Sequence, residues 1–206
     1  ISQSKSLARV FSSKDKESYH DVIKDFFGAK VDTMLLHEDI ATFIPPESIR
    51  KLEDSKDLSC FKKIESLLKD HCFIDVISMP DFDKIVDGKT LVQLSEIVGP
   101  NQLFLTKEEY LKNLRYMINL IISEKNYKVL IKENTLKNLF LCIKKDVGIL
   151  VTKMKGATEA FYIDQPSIVK IVWEFLQENQ EELILENQGE ILLKLQELAK
   201  KLSSTE

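Results

Sequence analysis

The sequence predicts an α/β domain: a mixed sheet that ends in an antiparallel meander and is flanked by helices. Three observations predict it. In the first half, short apolar runs alternate with longer helical patterns, as in sheets covered by helices. Four short runs rich in β-branched and aromatic residues then crowd into residues 127–164. The gaps between the last three are too short for crossover helices, which leaves antiparallel pairing. A proline-started helix and a final amphipathic helix close the chain.

Taken in order, "SSKDKESYHDVIKDFFG" reads as a helix capped by Ser13 and ended by Gly28, with Tyr19, Val22, Ile23, Phe26 and Phe27 on one side. "VDTMLLHED" follows as a strand. "PPESIRKLEDS" and "DLSCFKKIESLLKDH" are helical, the second with Leu58, Phe61, Ile64, Leu67 and Leu68 inward. "CFIDVISM" is a strand that stops before Pro80. Phe82, Ile85 and Val86 suggest a helical turn, and "KTLVQLSEIVGPNQ" a helix ended by Gly99-Pro100. Thr106 caps "KEEYLKNLRYMINLIISEK", and Glu109 completes a capping box. "YKVLIKE", "LFLCIKK", "GILVTKM" and "AFYID" are the four strands. "LFLCI" shows no alternation, so it should be buried on both faces. Pro166 then starts a helix with Ile168, Ile171, Val172, Phe175 and Leu176 inward, and the last helix spans 189–203.

Composition narrows the function. The 206 residues are 44% hydrophobic and 30% charged, an ordinary globular balance. A net charge of −4 disfavours a nucleic-acid surface on this chain, because phosphate contacts need clustered Lys and Arg. No apolar run approaches the roughly 20 residues a membrane helix needs. Cys60, Cys72 and Cys142 are far apart, as reduced thiols in a cytoplasmic protein would be. With six glycines, the chain is poor in the residues that phosphate-binding turns use. Residues 1–14 are polar and read as a linker from an upstream domain; 15–206 read as one domain.

Catalytic and metal patterns are sparse. HExxH, CxxC, GxSxG and HxK are all missing, and no metal or cofactor is expected. "DGKT" lacks the upstream glycine of a phosphate loop. The best catalytic candidate is His37-Glu38-Asp39, at a strand end where α/β sites often sit. It supports an alternative reading as a small hydrolase. Cys142 lies in an apolar strand and reads as core. Phe161, Tyr162 and Trp173, with Tyr127 and His37, are the candidates to line a ligand pocket. Trp173 is expected at the rim of its helix's buried stripe. Ile184, Gln188, Ile191, Leu195, Leu198 and Leu202 step by 4, 3, 4, 3, 4, a short heptad-like stripe with one polar position. That stripe is either packed on its own sheet or a contact between two copies. A third reading is a protein-interaction module that docks a partner helix.

Asn126-Tyr127-Lys128-Val129, Asp164-Gln165-Pro166 and Trp173-Glu174-Phe175 carry a resemblance. Residues 107–180 resemble the C-terminal regulatory region of Gram-positive bacterial transcriptional regulators with an N-terminal Cro/repressor-type helix-turn-helix. The resemblance implies an effector-sensing or oligomerising domain, with DNA bound only through an upstream domain. It implies a homodimer and a small-molecule or peptide effector, and it transfers no catalytic residue.

Overall fold

The computed structural model describes residues 8–12, 22, 24–37, 64–79, 81–91, 104–132, 139–153, 159–178 and 181–204. In chain order the strands are β1 (Arg9–Ser12), β2 (Thr33–His37), β3 (Phe73–Ile77), β4 (Thr90–Leu91), β5 (Phe104–Leu105), β6 (Tyr127–Ile131), β7 (Leu139–Lys144), β8 (Gly148–Lys153) and β9 (Glu159–Ile163). The helical segments are α1 (24–28), α2 (Ile64–Leu67), α3 (Phe82–Val86), α4 (Lys107–Ser123), α5 (Pro166–Glu178) and α6 (Glu181–Ser204).

Seven strands form one mixed sheet in the order β1-β9-β8-β7-β2-β3-β6, and β4 and β5 form a separate pair. β2, β3 and β6 are parallel and step in one direction. β7 then returns to the other side of β2, antiparallel to it, and β7, β8 and β9 complete the expected meander. Strand order therefore reverses at β2. The mixed sheet flanked by helices is the fold class read from the sequence.

Side chains alternate across the sheet. One face carries Leu35, Phe73, Val129, Phe140, Leu150 and Tyr162, packed under α1, α4 and α6. The other carries Met34, Val76, Leu130, Ile143 and Ile149, packed under Val169 and Trp173 of α5. β7 is covered on both faces, which explains its unbroken apolar run. Thr106 and Glu109 make the expected capping box: the Glu109 N–H donates to Thr106 Oγ1 at 3.3 Å, and the Thr106 N–H donates to Glu109 Oε2 at 3.0 Å.

Three expectations change. Residues 9–12, read as linker, form edge strand β1, whose Val10 pairs with Phe161 on β9. The exposed edge of β9 supplies the ladder that polar flanking sequence does not advertise. Thr90 and Leu91, read as a helix start, pair with Leu105 and Phe104. On α5, Ile171 and Phe175 face outward, 65% and 62% exposed. Val169 and Trp173, at i and i+4, set the centre of the buried face, and Ile171 and Phe175 lie about half a turn round from it. The helix read over 45–55, residues 57–63 of the helix read over 57–71, and residues 92–102 of the helix read over 89–102 fall outside the described residues.

Two local features fix the sheet. Gly148 opens β8 where a Cβ would sit 2.7 Å from Cε2 of Tyr162 and 2.9 Å from its hydroxyl, so a side chain there would displace the Tyr162 ring. At the β6 edge, Gln188 of α6 pairs with the backbone of Val129. The Val129 N–H donates to Gln188 Oε1 at 3.2 Å, and Gln188 Nε2 donates to the Val129 carbonyl. The polar position in the heptad-like stripe thus acts as a side-chain peptide, bonding a strand edge that would otherwise recruit another strand.

Candidate functional site

The carboxyl ends of the parallel strands, where strand order reverses, are where open α/β sheets place ligands. β2 ends there with His37. In register, Leu35 lies beside Asp75 on β3, and Asp75 beside Val129 on β6. Period two therefore puts His37, Asp75 and Tyr127 on one face, in a diagonal across three strands. His37 Nε2 lies 2.7 Å from Asp75 Oδ1, and the Tyr127 hydroxyl donates to Asp75 Oδ2 at 2.9 Å.

The three are 3%, 0% and 2% exposed, respectively. A lone carboxylate at such depth is strongly disfavoured unless paired and hydrogen-bonded. Here each oxygen has a partner. With Asp75 accepting, Nε2 of His37 carries the proton, an assignment that follows from the bonding pattern. Burial, then the charge of Asp75 and its hydrogen bond, hold the Tyr127 phenol well above its ordinary value, so it stays a donor at neutral pH. The His37 ring also lies 6.2 Å from that of Phe140.

Two other reactive groups share the face. Lys144 is buried and donates to the carbonyl oxygens of Phe27 and Ala29, at the end of α1. Its charge meets the negative end of that short helix and is not aimed at the histidine. Cys142 is buried, and burial pushes its thiol up to about 12. Burial also raises Cys72, which is only partly covered.

These shifts have a direction. A thiol or phenol raised by folding keeps its proton longer in the folded chain than in the unfolded one. Its stabilising contribution is complete below the unfolded value. It is lost as pH rises from the ordinary thiol and phenol range through the folded values. Stability is therefore expected to fall above about pH 9, measured by urea denaturation at a series of pH values. At pH 8 a thiol near 12 is ionised in about one molecule in ten thousand. Mass spectrometry after iodoacetamide treatment of the native chain should show Cys72 modified and Cys142 protected until denaturant is added. Rapid native labelling of Cys142 would contradict its burial.

The sheet divides the candidate ligand residues. His37 and Tyr127 are brought together through Asp75. Tyr162 lies on the same face, edge-on to Phe26 at 5.7 Å. Phe161, its neighbour in the strand, is on the opposite face and 42% exposed. Trp173 is not a rim residue: it is buried in the second core, with Nε1 donating to Gln177 Oε1 at 3.0 Å. Glu38 and Asp39 lie outside the described residues, as does the side chain of Ile184. Ile191, Leu195, Leu198 and Leu202 are buried in the chain's own core beside α4.

Sequence reading missed Asp75, although it is the one charge in the apolar run "CFIDVISM". A charge inside a buried strand is itself a signal, because such residues are almost never fully buried unless paired. Asn113, buried on α4 among apolar residues, was missed too. Among the described residues no group of three or more His, Cys, Asp or Glu is placed to hold a metal ion, and no helix is long and apolar enough to cross a membrane.

No family model and no curated protein matches the chain. Solved structures with a distant likeness to the chain include two. TrmBL2, an archaeal chromatin protein described as showing a novel mode of DNA binding, is 10% identical, with a TM-score of 0.45 over 88% of this chain and 55% of that one. The chain thus spans about half that protein's length. NucT from Helicobacter pylori is 10% identical, with a TM-score of 0.45 over 87% of this chain and 95% of that one. Likeness at this level carries no argument about what the chain does.

Proposed function

We propose that this chain is a non-enzymatic regulatory domain of a transcriptional regulator. It responds to a ligand or partner and controls a DNA-binding domain elsewhere in the same polypeptide. One observation carries the reading. Where an α/β enzyme presents acid–base groups to substrate, this chain holds a closed network, with both oxygens of Asp75 taken by its own His37 and Tyr127. A buried, internally satisfied network specifies one arrangement of strands and helices. A ligand or partner that binds one arrangement better shifts the population towards it. Self-association sets the spacing of the attached DNA-binding domains. Because Ile191, Leu195, Leu198 and Leu202 are used inside the chain, the exposed Ile171 and Phe175 of α5 are an apolar surface for a second copy.

The test begins with the coding sequence directly upstream of residue 1, which should encode a helix-turn-helix. The intact protein should then shift operator DNA as a dimer in light scattering. A complete reading frame without a DNA-binding domain would end the proposal.

A second reading, a small hydrolase, is favoured by the oriented His37–Asp75 pair at the carboxyl end of β2. It requires the wild-type chain to turn over aryl ester or phosphoester substrates, and His37→Asn to abolish that turnover. Equal rates in both proteins would dismiss it.

A further inference from the structure

We infer that the first two turns of α6 form a latch, which opens and closes over the outer edge of β6 while the rest of the helix stays packed. Gln188 is its catch and Gly189 its hinge. Its purpose, though not its geometry, rests on the regulatory reading.

The course of β6 defines the catch. The Phe73 N–H donates to the Asn126 carbonyl at 2.8 Å, and the Lys132 N–H donates to the Ile77 carbonyl at 2.9 Å. The even positions of this stretch therefore bond to β3, and bonding direction alternates along a strand. Val129 thus turns both its N–H and its C=O away from the sheet, where Gln188 meets both. A primary amide offers an acceptor and a donor side by side, as a peptide group does. One side chain supplies what a neighbouring strand would, and it can leave without breaking any bond of the sheet.

The helix differs on the two sides of Gly189. Beyond it, Ile191, Leu195, Leu198, Ala199 and Leu202 are buried in the core. Gln188 is half-buried, and Gly189 and Glu190 are exposed. Gly189 lies in the interior of α6, about two turns from its start. An interior glycine shifts a helix towards unwinding by roughly fivefold relative to alanine. Packing does not call for it here, since a Cβ at Gly189 would meet nothing within 4 Å. The weakest helical residue therefore stands directly between the catch and the anchored stripe. Opening means that residues 181–189 unwind together and release Val129, while 191–202 stay in place. Such an element has two arrangements, and an effector that prefers one of them shifts the balance.

Amide hydrogen exchange of the 15N-labelled 206-residue chain, followed by NMR, tests the latch. In the wild type, Val129, Asn187 and Gln188 should exchange through one shared opening. Corrected for their unfolded rates, they should be at least about tenfold faster than Leu130 and Leu195. Gly189→Ala should slow exchange at Val129 by about fivefold. Gln188→Ala introduces the better helix former yet should speed exchange at Val129 by about tenfold, because the catch is gone. Val129 exchanging as slowly as Leu130 in the wild type would mean that the edge opens only with the whole sheet, and overturns the inference. Unchanged exchange at Val129 in Gly189→Ala overturns it too, since only the Gln188 side chain would then be swinging. The wild-type rates decide the matter even if a variant does not fold. An upstream sequence without a DNA-binding domain would end the regulatory reading and leave these rates as they are.

Discussion

Asp75→Ala is expected to lower the free energy of unfolding by about 3–5 kcal/mol, because it leaves His37 and Tyr127 buried without their shared acceptor. For a chain of this size that is a fall in Tm on the order of 10 °C. The effect exceeds that of deleting the carboxylate's own contacts, since the two remaining polar groups are nearly inaccessible to water. Tyr127→Phe removes one hydrogen bond without emptying space and should cost about 1–2 kcal/mol. Combining the two changes should give less than the sum, because they remove the same bond. Urea denaturation of the two single variants and the double variant measures this. A loss below about 1 kcal/mol in Asp75→Ala would mean that water reaches the site, and the closed network would have to be abandoned.

Leu195→Ala should destabilise the chain by about 2–5 kcal/mol, the cost of a cavity in a packed core. Leu195 is fully buried among α4, α6 and the sheet. The loss should be independent of protein concentration, since the partner surface belongs to the same chain. If the stripe of Ile191, Leu195, Leu198 and Leu202 were instead a contact between copies, Tm would rise with concentration in the wild type and less so in the variant. Thermal melts over a hundredfold dilution separate the two cases.

Periodicity made much of this fold legible. The meander followed from gap lengths alone, and α4 from its capping box and stripe. Periodicity failed where two faces competed. On α5 nearly every position is apolar, so the stripe could be drawn through Ile171 and Phe175 as easily as through Val169 and Trp173; the sheet beneath chose the second. β1 was illegible because a short edge strand draws its order from its neighbour and not from its own sequence. For the site, His37 was visible at its strand end, but its partner was not. Asp75 lies 38 residues away in sequence and meets it only through parallel pairing of β2 and β3. Tyr127 was identified within a motif, yet its hydroxyl acts through that same carboxylate.

The amide of Gln188 has a consequence for how the chain is made. β6 is synthesised well before α6, and until α6 emerges the outer edge of Val129 and the apolar floor beneath Leu195 and Leu202 have no cover. During that interval a nascent chain presents both a strand edge and an oily surface to its neighbours, the combination most prone to misassembly. Truncation ahead of residue 188 would prolong that interval indefinitely. Such a fragment should partition to inclusion bodies even though every strand of its sheet is present.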